Sequence, residues 1–165
     1  MRIYGVKPER YAEMMMYWDN LLPRNVSLKL MPFMGYVDFV RSLGEVAVGL
    51  QPVCDENAYS LGKSFGKVLS YLAADVCVVA SNNIDHPLFF KHGSNAQLLE
   101  NDPNKWGAAC DDLLMSPQLR QRLVDAGRID MNSRLTTARS AELIEPLLRL
   151  TKEGNPWPHG IASKH

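Results

Sequence analysis

The sequence carries no surplus of either charge: eighteen Lys and Arg stand against eighteen Asp and Glu. That removes the basic excess with which a nucleic-acid binder neutralises phosphates, so nucleic acid is not expected as a partner. No apolar run approaches the ~18–20 residues that a membrane-spanning helix needs. The opening Met-Arg-Ile-Tyr-Gly lacks the apolar core of a secretory signal. Cysteine is scarce, odd in number and widely spaced (Cys54, Cys77, Cys110), which excludes a disulfide framework and favours reduced thiols in the cytoplasm. His86, His92, His159 and His165 show no metal-ligand spacing, so no metal is expected. No Ser-His-Asp or Cys-His arrangement stands out. Gly62-Lys63-Ser64 is not a Walker A loop, because no glycine lies five residues before Gly62. Internal repeats and low-complexity tracts are missing too.

What remains is an ordinary globular composition, 46% hydrophobic and 22% charged over 165 residues, enough for one domain with a real core. Short β-like runs alternate with helical stretches, the signature of an α/β domain with a parallel sheet. Strands are expected at Arg2–Gly5, Val26–Met31, Glu45–Val53, Val76–Ala80 and Ala96–Leu99. Helices are expected over Glu9–Leu22, Tyr36–Leu43 and Leu61–Ala74, with a short helix or turn over His86–His92. From Asp102-Pro103 the chain reads as helical to Leu150, broken at Ser116-Pro117 and again near Gly127–Asp130. Ser116 is a good N-cap before a proline at the first helical position. These elements make one domain over residues 1–150, followed by an irregular tail, 151–165, containing Gly154, Pro156, Trp157, Pro158 and Gly160. Met14-Met15-Met16 with Tyr17 and Trp18 reads as a helix packing on the sheet, the alternative being a partner-binding face, and Trp106 as a packing anchor. Asp111-Asp112, Glu142 and Glu145 read as solvated helix faces.

In open parallel sheets, ligands bind beyond the carboxyl ends of the strands. The richest such segment is Asp55–Lys67, the loop and helix start after the third strand. Gly62 lets the backbone approach a ligand closely, and a helix start offers unpaired N–H groups at its positive end. Lys63 and Lys67 lie four apart, which puts both on one side of a helix beginning near Leu61. Ser64 adds a hydroxyl. The combination suits a phosphate or diphosphate; the alternative is a solvated, lysine-bearing helix face.

The segment Val46–Ser81 resembles the donor-site stretch of retaining GT-B glycosyltransferases of the group 1, family 4-like type. That family's pattern is a strand ending in proline, then Gly-Lys-Ser-x-x-Lys, then Leu-Glu-Tyr-x-Ala-x-Gly-Val-Pro-Val-Val-Ala-Ser. Pro52, Gly62, Lys63, Ser64, Lys67, Leu69, Tyr71, Ala73, Val76, Val78, Val79, Ala80 and Ser81 match it. The similarity continues through Gly93, Leu98–Asn101 and the stretch Asn101–Arg128.

The resemblance implies the C-terminal, nucleotide-sugar-binding lobe of such an enzyme. It implies a diphosphate held by Gly62, Lys63, Ser64 and Lys67, and metal-independent transfer with the nucleotide sugar as substrate and no cofactor. Three positions depart from the pattern. Ser70 stands where a glutamate holds the ribose hydroxyls, and a serine lacks that residue's two charged acceptor oxygens. Asp75 replaces a glycine, tolerable in a C-cap, and Cys77 replaces a proline. The resemblance also begins at the second strand of the family's lobe, leaving out the first strand and the N-terminal acceptor lobe. The expected fold is therefore a Rossmann-like three-layer sandwich whose sheet of about five strands runs in the order 2-1-3-4-5. The expected partners are a nucleotide sugar and either an acceptor lobe or a second copy of the chain. The competing reading is a non-catalytic remnant or nucleotide-binding module that keeps the fold.

Overall fold

In the computed structural model, which describes residues 1–53, 58–64 and 66–152, β1 (Arg2–Val6) pairs in parallel with β2 (Lys29–Pro32). Between them lies a 3₁₀ turn at Pro8–Arg10 and helix α1 (Tyr11–Asp19). The register runs Arg2↔Lys29, Ile3↔Leu30 and Val6↔Pro32, so β1 carries one residue more than its partner between the last two pairs. Gly5, at φ +76°, supplies the left-handed step that such a bulge uses. Helix α2 (Tyr36–Ser42) follows. The Arg2 guanidinium donates to the Ser42 carbonyl at 3.1 Å, and the Tyr4 ring meets Phe39 edge-on at 5.2 Å. These elements form one compact unit, Met1–Gly44; the second runs from Glu45 onward.

In the second unit β3 (Val48–Gln51), β4 (Cys77–Ser81) and β5 (Gln97–Leu99) form a parallel sheet with β4 in the middle. β4 is buried at every residue, as its unbroken apolar run requires. Its side chains alternate between two cores. Val78 and Ala80 face Val68 and Leu72 of α4 (Gly66–Ala73), with Phe89 of α5 (His86–Phe89) and Phe90. Cys77 and Val79 face Leu113 of α6 (Pro103–Met115) and Leu123 and Val124 of α7 (Pro117–Arg134). The sheet is thus covered on both sides, and the class is α/β with a Rossmann-like layering. Helix α8 (Thr137–Lys152) closes the described chain.

The expected cap at Ser116 forms, and Asp102 caps α6 as well. The Asp102 carboxylate accepts from the Asn104 N–H at 2.9 Å, and the Ser116 hydroxyl accepts from the Leu119 N–H at 3.2 Å. Helix α4 ends in a Schellman turn, with Val76 N donating to Tyr71 O and Asp75 N to Leu72 O. Asp75 takes the left-handed position at φ +55°.

Four expectations need correction. The strands form two sheets, β1-β2 and β3-β4-β5, not one of five. Periodicity identifies strands but carries no information on which edges join, and Arg2 and Tyr4 are anchored to α2 of their own unit. Two strands are shorter than their apolar runs, because pairing starts only at Lys29 in β2 and spans only Val48–Gln51 in β3. The break near Gly127–Asp130 does not occur; α7 runs through to Arg134. Gly127 is there for closeness, since a Cβ on it would lie 2.7 Å from Leu72 Cδ2. Finally, the helix expected over Leu61–Ala74 is two helices, α3 (Ala58–Leu61) and α4. Two glycines four residues apart, Gly62 and Gly66, weaken a continuous helix by about 1 kcal/mol each relative to alanine. Cys54–Asn57, Phe65 and the tail from residue 153, including Trp157, His159 and His165, lie outside the described residues.

Candidate functional site

The crossover from β3 to β4 leaves the sheet at its carboxyl edge and returns along α4, so the start of α4 lies at that edge. Gly62 follows α3, its N–H donating to Ala58 O at 3.2 Å. Lys63 N–H donates to Ser60 O, and its ammonium sits 4.7 Å from the centre of the Tyr59 ring. That cation–π contact draws the Lys63 side chain back over α3. The Ser64 hydroxyl lies beside Gly66, 3.6 Å from where a Cβ there would stand. Lys67 is the second residue of α4. Gly62, Lys63, Ser64 and Lys67 are all exposed. Lys63 lies outside α4, so the premise that one helix turn carries both lysines does not hold; the break between α3 and α4 separates them. Ser70 is one turn further into α4 and is buried at 3% exposure, away from the solvent-facing group.

Tyr71 and Ser81 organise the surroundings. The Tyr71 hydroxyl donates to the Leu50 carbonyl at 3.2 Å, tying α4 to β3. Ladder pairing ends at Gln51↔Ala80 and Ser81↔Leu99, and beyond it the strand ends are joined by side chains. Val53 N–H donates to Ser81 Oγ at 2.9 Å, Ser81 Oγ–H donates to Asn101 Oδ1 at 2.7 Å, and Asn101 Nδ2–H donates to Val53 O at 2.6 Å. The ring of three bonds is closed. Sequence reasoning missed it; its signal is a serine ending an otherwise apolar strand and an asparagine just before the Asp102-Pro103 helix start.

The next turn is strained and polar. Ile84, a β-branched residue, stands at φ +48°. His86 is fully buried with Nδ1 2.8 Å from the Ser81 carbonyl, which accepts its proton, and Nε2 has no partner among the described residues. No group of three or more His, Cys, Asp or Glu suited to a metal occurs among the described residues. Burial pushes the Cys77 thiol up to about 11 against the pull of Arg120, and burial also raises Cys110, helped by Asp111. An open groove of about 380 Å³ lies elsewhere, between Leu88 and Phe89 on one side and Arg134, Leu135, Arg139 and Leu143 on the other. It does not touch the Gly62–Lys67 stretch.

No protein-family model matches the sequence, and no curated protein matches it either. Among solved structures, the chain is similar to the C-terminal domain of a glycosyl transferase group 1 family protein (LpcC) from Francisella tularensis. The TM-score is 0.56 at 16% identity, and the match covers 79% of this chain and 66% of that one. The fold is GT-B-like. At that identity the likeness speaks for the fold alone, and less than two thirds of the neighbour's own length is spanned. Among the described residues, no helix of this GT-B-like chain is long and apolar enough to cross a membrane.

Proposed function

We propose that the chain is a donor-binding part of a glycosyltransferase, holding the diphosphate of a nucleotide sugar on the Gly62–Lys67 stretch. The observation that carries this reading is the coincidence of the Gly-Lys-Ser-x-x-Lys motif with the carboxyl edge of β3 in a GT-B-like fold. Two exposed lysines, a serine hydroxyl and the first N–H groups of α4 supply charge and donors to a leaving diphosphate without a metal. Lys67 would reach it from α4, and Lys63 after leaving the Tyr59 ring. Transfer itself, with retention, requires an acceptor lobe supplied by a further segment, a separate chain or a second copy, and the setting is cytoplasmic.

The second reading, a binding module without turnover, is favoured by one observation: Ser70 replaces the ribose-binding glutamate and is buried. Calorimetric titration with nucleoside diphosphates and nucleotide sugars tests the first reading. Lys63→Ala and Lys67→Ala should each weaken binding roughly ten- to a hundredfold, since a charged hydrogen bond is worth ~1.5–3 kcal/mol. Unchanged affinity in both variants would leave a solvated lysine face.

A further inference from the structure

β4 and β5 stay joined as far as Asn82, whose N–H donates to Leu99 O at 2.7 Å, but past Gln51 no ladder bond holds β3 to β4, and by itself its end would splay by the usual mechanics of an open sheet. The ring through Val53, Ser81 and Asn101 stops that. It takes both backbone groups of Val53, the last described residue before the chain heads for α3, and closes them onto β4 and the residue before α6. Each of its groups is used in a matched donor or acceptor role, and the Val53–Ser81 bond is buried, with Ser81 only 1% exposed, so little water competes for that bond. Tyr71 adds a fourth tie one residue inside β3, from α4 back to Leu50. Val53 is thereby held at the carboxyl edge of the sheet, and α4 is tied to β3 through Tyr71.

We propose that Ser81 and Asn101 are positioning residues for the anion-binding stretch Gly62–Lys67, setting the exit of β3 without touching the ligand; this rests on the donor-site reading. Asn101 is the better handle, being exposed where Ser81 is buried. Asn101→Ala removes two of the three bonds. Asn101→Asp keeps an acceptor for the Ser81 hydroxyl but sets a carboxylate oxygen against the Val53 carbonyl, which opens the ring from the other side.

The test uses the full chain, a nucleoside diphosphate as probe, and Val124→Ala as a control core variant between α7 and the sheet, remote from the strand ends. Dissociation constants are measured at a temperature where all variants are folded, alongside amide resonances of Gly62, Lys63, Ser64 and Lys67 without ligand. Both Asn101 variants should bind about tenfold more weakly, the loss of roughly one charged hydrogen bond, and shift those four amides. Val124→Ala, though less stable, should bind as the parent does and leave them in place. Asn101 variants with parental affinity and unmoved amides would overturn the proposal, as would an equal loss in Val124→Ala. A parent chain that fails to bind the probe overturns the donor-site reading, and the ligand-free amide shifts then decide the positioning role separately.

Discussion

Tyr71 lies flat against the backbone of Gly49: a Cβ built on that glycine would stand 2.6 Å from Tyr71 Cδ2 and 2.7 Å from Cγ. The approach lets the ring cross β3 and reach the Leu50 carbonyl with its hydroxyl. Gly49→Ala should therefore destabilise the chain by about 1–3 kcal/mol, the usual cost of overpacking, because the ring cannot retreat without losing its hydrogen bond. In the background of Tyr71→Ala the same substitution should cost far less. Chemical denaturation of the four chains gives the coupling, and simple additivity would show that the contact does not matter.

Asp75 occupies the left-handed position that ends α4, where the family pattern has glycine. The short Asp side chain tolerates φ +55°, and its carboxylate also meets the Arg128 guanidinium at 3.2 Å, an exposed pair of small value. Asp75→Val should cost about 1–2 kcal/mol, because a β-branched side chain tolerates the left-handed region far less well than aspartate does. Asp75→Gly should leave stability unchanged or raise it slightly. Equal losses in both would mean that the Arg128 pair, not the backbone, holds the turn.

Much of this was legible in advance, for definable reasons. The unbroken run Val76–Ala80, the helix start at Asp102-Pro103 and the Ser116 cap depend on local chemistry, and all three appear in place. The position of the lysine motif after β3 follows from chain order alone. What the sequence did not disclose depends on partners distant along the chain. Gly127 looks like a helix breaker until Leu72 is seen against it. The Val53–Ser81–Asn101 ring joins residues 28, 20 and 48 apart, and no local pattern announces such a closure.

Cys77 gives a prediction in pH. Burial lifts its thiol from the ordinary 9.0 to about 11, so below pH 9 the folded and unfolded chains both keep the proton and stability is unaffected. As pH rises past 9 the unfolded thiol ionises first, and stability falls until the folded thiol ionises near 11. Denaturation midpoints between pH 8 and 11 should therefore drop more steeply for the parent chain than for Cys77→Ala, in which every other titrating group remains. Parallel curves would show that Cys77 is not shielded from water in solution.

The last prediction concerns turnover: a monomer of the 165-residue chain should bind a nucleoside diphosphate yet transfer no sugar. On the proposed reading, lysines and helix N–H groups at Gly62–Lys67 would ease departure of a diphosphate, but that is one half of a bimolecular reaction. Holding acceptor against donor contributes as much as ~7–11 kcal/mol to such a step, and this contribution requires a second surface facing the first. If that surface belongs to another copy of the chain, turnover should rise with protein concentration and follow the dimer fraction measured by sedimentation. Met16 and Tyr17 on α1, 66% and 59% exposed, are apolar contacts available for such pairing. If it belongs to a separate lobe, only adding that lobe should start the reaction. Transfer by a clean monomer with a simple alcohol or sugar acceptor would contradict both versions, because a single donor surface would then be sufficient for catalysis.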